Sequence, residues 1–168
     1  LPISEVLTKF EKAWNTKLNP NVGRMATEVF PAAIKKEVRG LYIFGEDPVV
    51  TDADTTHIIK ALESLEFFVM SELFMTETAK YADVILPGVS YAEKEGTFSN
   101  TERRVQRVRK AVELEGEMRL DTDIFTDLMN RMGYAQPYLT SAEIMDEIAS
   151  LTPSFAGISH DRLDKEGS

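Results

Sequence analysis

The chain has 168 residues, 43% of them hydrophobic, with a formal net charge of -9, two histidines and no cysteine. That length closes one hydrophobic core and leaves little for a second, and the acidic balance argues against a general nucleic-acid binder, which needs a basic footprint. Without cysteine these residues form no disulfide, thiolate zinc site or iron–sulfur cluster. No run approaches the roughly 18 apolar residues of a membrane span. The first residues lack the layout of a signal peptide. The expectation is a soluble, cytoplasmic chain that binds no nucleic acid and inserts in no membrane.

Ile3, Val6, Leu7, Phe10, Ala13 and Trp14 keep helical spacing and predict an amphipathic helix over 3–14. A loop carrying Asn19-Pro20-Asn21 follows. Met25, Val29, Phe30, Ala33 and Ile34 predict a second helix, with a kink or restart at Pro31 because an interior proline removes a hydrogen bond. Leu41-Tyr42-Ile43-Phe44, Phe67-Phe68-Val69-Met70 and Asp83-Val84-Ile85-Leu86 are short apolar runs that read as buried strands. Between the first two lie a polar turn, Glu46 to Asp52, and a helix with Ile58, Ile59, Ala61, Leu62 and Leu65 on one face. Between the second and third there is room for a short helix. This is the pattern of a parallel α/β sheet, whose ligands sit beyond the carboxyl ends of the strands. Gly45 to Asp52, Ser71 to Thr78 and Gly88 to Ser90 are therefore the first places to look for function.

Residues 91–100 are irregular. Arg103, Arg104, Arg107, Arg109 and Lys110 then crowd basic charge into eight positions, which reads either as a solvated strand or as a strip facing an anion or a partner. Residues 121–133 predict a helix stopped by Gly133. Thr140 and Glu143 are spaced as a capping box for a further helix, and the residues from Ser159 read as a fraying tail. His57 falls on the crossover helix and His160 in that tail, so neither suggests a ligand.

No glycine-rich phosphate loop follows the first strand. The turns offer carboxylates instead: Glu46, Asp47 and Asp52 after the first strand and Glu72 after the second. An ionised carboxylate accepts hydrogen bonds from ribose hydroxyls or from the N–H groups of a guanine ring. It equally serves a turn at Asp47-Pro48 or a helix cap at Asp52 or Asp54. Glu93 and Glu95 could act as an acid/base pair or hold a cation, though such pairs are more often solvated. Ser90, Thr97 and Ser99 have no histidine near them in sequence, and no catalytic triad assembles.

Three ordered stretches resemble one family. Leu41-Tyr42-Ile43-Phe44-Gly45-Glu46-Asp47-Pro48, Phe74-Met75-Thr76-Glu77-Thr78-Ala79 with Ala82-Asp83-Val84-Ile85-Leu86-Pro87, and Glu93-Lys94-Glu95-Gly96-Thr97-Phe98-Ser99-Asn100-Thr101-Glu102-Arg103-Arg104-Val105-Gln106 are similar to the molybdopterin oxidoreductases. Within that family they look most like the catalytic alpha subunits of formate dehydrogenases. The resemblance implies a Rossmann-like parallel sheet with flanking helices. It also implies a molybdenum- or tungsten-dependent enzyme that oxidises formate to carbon dioxide with a bis-pyranopterin guanine dinucleotide cofactor (molybdopterin guanine dinucleotide) and a 4Fe-4S cluster. The chain then reads as an internal fragment, inactive alone and holding the cofactor weakly or not at all by itself because half of the crevice is absent. The 4Fe-4S cluster belongs to the parent only, and the partners are the remainder of the alpha subunit and electron-transfer subunits. Residues 1–90 and 120–168 would form an incomplete cofactor-binding domain, and 91–119 would belong to a neighbouring one.

Carried over position by position, the resemblance implies that Gly45, Glu46, Asp47, Pro48, Thr51, Ser71, Glu72, Thr76 and Asp121 cradle the guanosine end of one cofactor. No catalytic residue and no metal ligand is expected in this stretch, while Glu95, Gly96 and Gln106 fall near the pterin. The family's usual glutamine-aspartate pair is Ser71-Glu72 here, and its usual tryptophan after the later aspartate is Thr122. The alternatives are another molybdopterin oxidoreductase, such as a nitrate reductase, or a cofactor-free interaction module that docks through Arg103 to Lys110.

Overall fold

The computed structural model describes residues 3–114 and 116–166, with the side chain of Ile3 left out. In chain order its elements are α1 (Ile3–Trp14), α2 (Ala26–Ile34), β1 (Gly40–Phe44), α3 (Pro48–Thr51), α4 (Thr55–Glu63), β2 (Phe67–Glu72), β3 (Val84–Pro87), β4 (Gly96–Ser99), β5 (Val105–Val108), α5 (Asp121–Arg131), α6 (Ser141–Leu151) and α7 (His160–Glu166). Single 3-10 turns lie at Thr78–Tyr81 and Pro153–Phe155. Of the residues expected to form the apolar face of α1, the tail and the 91–119 segment, the Ile3 side chain, Gly167, Ser168 and Glu115 lie outside the described residues.

These elements gather into two compact units, Arg24–Lys94 with Lys110–Gln136, and Leu1–Gly23 with Glu95–Arg109 and Pro137–Ser168. The units divide the chain at different points from the 1–90, 91–119 and 120–168 segments drawn from sequence. Within the second of these units, β4 contacts α6 and β5 contacts α7.

The first unit holds a parallel three-stranded sheet in the order β1-β2-β3. β2 is central, and the register pairs Phe44 with Ser71 and Glu72 with Pro87, so all three strands end at one edge. This is the α/β architecture expected from the three apolar runs. Phe68 and Met70 from β2 meet Ile58 and Leu62 from α4, Val49 from α3 and Ala79 from the 3-10 turn in one buried cluster. Each large apolar side chain so buried contributes on the order of 1.5–3 kcal/mol. Asp83 extends the ladder at the start of β3, accepting from the Phe68 amide at 2.7 Å while its own N–H donates to the Phe68 carbonyl.

Two local features differ in part from expectation in this unit. α2 continues through Pro31 without a restart. The bond that proline forfeits is the one to the carbonyl of Thr27, four residues back, and Thr27 lies exposed, where water can serve it. The polar turn after β1 is itself a one-turn helix, α3, with Pro48 at its first position, where a proline's missing N–H costs nothing.

In the second unit β4 and β5 pair antiparallel, with Thr97 opposite Arg107. Trp14 of α1 donates from its indole N–H to Glu147 of α6 at 2.7 Å. The Thr140–Glu143 capping box forms in both directions. The expected frayed tail is instead the helix α7, and His160 at its start is buried. What holds it is charge and burial together: Asp164 of α7 accepts from Arg107 at 3.2 Å and from Arg109 at 2.7 Å.

Candidate functional site

The carboxyl edge of the parallel sheet is built by three turns. Gly45 leaves β1 with φ of +64°, a left-handed conformation that a Cβ would strain, and its N–H donates to the Ser71 carbonyl at 3.0 Å. That bond ties the first turn to the end of β2. The chain then enters α3, where the Asp47 carbonyl accepts from the amides of Val50 and Thr51 and from the Thr51 hydroxyl at 3.1 Å. Gly88 leaves β3, and its N–H donates to the Glu72 carbonyl at 3.0 Å. A Cβ on Gly88 would stand 3.6 Å from an Asp121 carboxylate oxygen and 3.7 Å from the Glu72 carbonyl, so α5 begins beside the ends of β2 and β3.

Three carboxylates at this edge share one arrangement. Asp47 Oδ1 accepts from the Thr78 amide at 3.0 Å and from the Thr78 hydroxyl at 2.5 Å. Glu72 Oε1 accepts from the Leu73 amide at 2.7 Å. Asp121 Oδ2 accepts from the Lys94 ammonium at 2.5 Å. In each case the other oxygen has no hydrogen-bond partner among the described residues. Since no buried side-chain oxygen or nitrogen among them lacks a partner, those three oxygens reach solvent. Each carboxylate is thus held by one oxygen and offers the other, and together they form an acceptor-rich rim.

The remaining sequence-predicted positions fall on the same turns with other duties. Ser71 is buried, and its hydroxyl lies 2.6 Å from the Tyr42 phenol. Thr76 accepts from the Ala79 amide at 3.3 Å and so opens the 3-10 turn. Pro48 is buried at the first position of α3, and Glu46 is exposed. Asp54, by contrast, caps α4 by accepting from the His57 amide at 3.0 Å, and Asp52 accepts from the Asp54 amide. The turn and cap uses open to these aspartates in sequence are therefore taken by Asp52 and Asp54, while the Asp47 side chain reaches across to the next loop. Phe125 of α5 packs its ring 5.8 Å from that of Tyr42 and 5.4 Å from that of Phe44, which fixes α5 on the β1 face.

Other candidate constellations disperse. Glu93 accepts from the Ser90 amide and hydroxyl, both at 2.8 Å, and those bonds, the amide first, hold its carboxyl below the usual range. Glu95 belongs to the other unit, 3.8 Å from Arg107 and 3.4 Å from the Ser141 hydroxyl. The two do not share one task. Gly96 gives its carbonyl to Arg107 at 3.0 Å, and Gln106 accepts from Asn100 at 3.4 Å. The basic strip is largely consumed within the chain: Arg107 and Arg109 share Asp164, and Lys110 pairs with Glu113. Among the described residues no group of three or more histidine, aspartate or glutamate side chains could hold a metal ion.

Sequence reasoning placed Thr78 and Gly88 at the ends of stretches to search first without giving either a role, and it did not single out Lys94. Thr78 sits inside a quoted stretch, but one threonine between Glu77 and Ala79 carries no periodic or spacing signal. Lys94 comes within reach of Asp121 only because the chain folds 27 residues back on itself.

Known proteins bear on this arrangement. The model of the molybdopterin oxidoreductase family matches residues 9–131. The chain is 44% identical, over 161 residues, to the F420-dependent formate dehydrogenase 1 subunit alpha of Methanococcus maripaludis, covering 95% of this chain and 24% of that protein. It is 46% identical to the F420-dependent formate dehydrogenase subunit alpha of Methanocaldococcus jannaschii, covering 94% and 24%. It is 44% identical to a putative formate dehydrogenase of Staphylococcus aureus, covering 95% and 16%. The chain therefore spans a quarter or less of these relatives' length. Acetylene hydratase from Pelobacter acetylenicus shares the fold, with a TM-score of 0.68 at 24% identity over 97% of this chain and 23% of its own. With the family model covering well over half of its residues, and a Rossmann-like parallel sheet beneath the motifs, this chain belongs to the molybdopterin oxidoreductase family.

Proposed function

We propose that this chain is part of the catalytic alpha subunit of a formate dehydrogenase, and that the carboxyl edge of β1, β2 and β3 holds the guanosine end of a pyranopterin guanine dinucleotide. The observation that carries the reading is the rim of three carboxylates, each with one oxygen held and one open. Such acceptors suit the N1–H and 2-amino group of guanine and the hydroxyls of ribose. They do not suit a diphosphate, and the lysine among them, Lys94, is engaged with Asp121. The residues fit the nucleoside and not the phosphate end.

In this reading Asp47, Glu72 and Asp121 accept from the nucleoside, and Gly45 and Gly88 keep the backbone low beneath it. Glu46, Pro48, Thr51, Ser71 and Thr76 shape or brace the same turns. When bound, the cofactor's molybdenum or tungsten supplies the redox chemistry, formate giving carbon dioxide, a proton and two electrons. This chain's own residues bind and orient. The electrons would leave through an iron–sulfur cluster in the remainder of the subunit and through electron-transfer subunits.

The test is an amide-resolved NMR titration of the 168-residue chain with GMP and with AMP, which registers even weak binding. Shifts centred on Gly45, Asp47, Glu72 and Gly88, larger for GMP than for AMP, are the expected result. Equal shifts for both nucleotides, or a rim silent in the longer protein as well as in this chain, overturn the guanosine reading. In the longer protein, formate-dependent dye reduction with nitrate inert is expected, and nitrate reduction overturns the substrate assignment.

A further inference from the structure

We infer that Thr78 is a positioning residue for nucleoside recognition: it locks Asp47 by one carboxylate oxygen so that the other is presented in a single orientation. The inference rests on the guanosine reading of Asp47 and adds to it a residue that touches no ligand. Thr78 is completely buried. Its hydroxyl accepts from the Val49 amide at 3.0 Å and donates to Asp47 Oδ1 at 2.5 Å, while its own amide donates to the same Oδ1 at 3.0 Å.

The direction of this relay is not a matter of choice. An amide N–H can only donate, and an ionised carboxylate can only accept, so the one hydroxyl proton must go to Asp47. The two grips on Oδ1 come from one residue and fix both side-chain torsions of Asp47. Thr78 is itself β-branched and stiff about its first torsion. Two loops, one after β1 and one after β2, are joined through a residue the solvent does not reach. An acceptor held in this way loses little freedom when a donor arrives, which is how preorganised sites gain affinity.

A purely structural role makes a different forecast, because Thr78 also ties α3 to the 3-10 turn. Three variants of the 168-residue chain separate the two, each titrated with GMP and AMP by NMR and unfolded in urea. Thr78→Val keeps the shape and removes the hydroxyl, and GMP affinity is expected to fall about tenfold or more, the size of one charge-assisted hydrogen bond. Thr78→Ser restores the hydroxyl and is expected to bring GMP affinity and the preference over AMP back to within about threefold of the parent chain. Asp47→Asn is expected to lose the preference altogether.

If Asp47→Asn abolishes GMP recognition while Thr78→Val leaves it intact, positioning is overturned and the guanosine reading stands. If Asp47→Asn changes nothing, the guanosine reading itself fails. Should Thr78→Val not fold, Thr78→Ser decides alone: a folded serine variant without the GMP preference means that the methyl group, and not the hydroxyl, matters, and the inference falls.

Discussion

Replacing Lys94 with methionine tests the ion pair that the rim contains, Lys94–Asp121. Its Nζ lies 2.5 Å from Asp121 Oδ2, with 34% of the lysine side chain and 14% of the aspartate side chain accessible. Two unit charges about 4 Å apart attract by roughly 4 kcal/mol at an effective dielectric of about 20. Desolvating two half-buried ions takes back most of that. Fully exposed pairs retain about 0–1 kcal/mol, and a hydrogen bond to a charged group about 1.5–3 kcal/mol. A coupling of about 1–2 kcal/mol is therefore expected between Lys94 and Asp121. The assay is a double-mutant cycle in urea with Lys94→Met, Asp121→Asn and the double variant. The Glu77–Lys80 pair, more than half exposed on both sides, serves as a control expected near zero. A Lys94–Asp121 coupling under about 0.5 kcal/mol, no better than a surface pair, refutes the claim that this lysine holds Asp121 in place.

Phe68→Ala, at a position only 1% exposed between α4 and the sheet, should cost about 3–5 kcal/mol in urea unfolding, and a cost near zero would mean that the cluster is not a closed core. Gly45→Ala meets no neighbouring atom but must adopt φ of +64°, so its cost of about 1–2 kcal/mol is purely backbone. Gly23→Ala, equally open and without that angle, is the control expected to be neutral or mildly stabilising. Burial, and next the Arg107 guanidinium, hold His160 below its ordinary value of 6.5, against the opposing pull of Glu95, Asp164 and Asp146. Above 6.5 the ring is neutral whether the chain is folded or not; below it the unfolded chain takes up the proton more readily, so stability falls with falling pH. His160→Gln should flatten that slope in thermal melts between pH 7 and about pH 5, and an unchanged slope assigns the pH dependence to other groups.

Much of the fold was legible because it follows from local chemistry. Three short apolar runs separated by helical spacing admit few arrangements other than a parallel sheet, and the carboxyl edge then follows from geometry. The Thr140–Glu143 box and the Gly133 stop were readable for the same reason, since capping is decided within one turn of chain. Pro31 shows the limit of such reading. A forfeited hydrogen bond disrupts a helix only when nothing else serves the stranded carbonyl, and exposure at Thr27 is a property of the fold.

The amino-acid sequence by itself determined that acidic turns gather beyond the strands, because strand order and direction come from pattern. Only the tertiary structure decided which oxygen of Asp47 and which of Asp121 is spent. Thr78 reaches Asp47 across 31 residues and Lys94 reaches Asp121 across 27, separations at which sequence spacing carries no information about contact. The same holds for α7. Its charged residues look like a solvated tail until Arg107 and Arg109, more than fifty residues earlier, bring their guanidinium groups to Asp164.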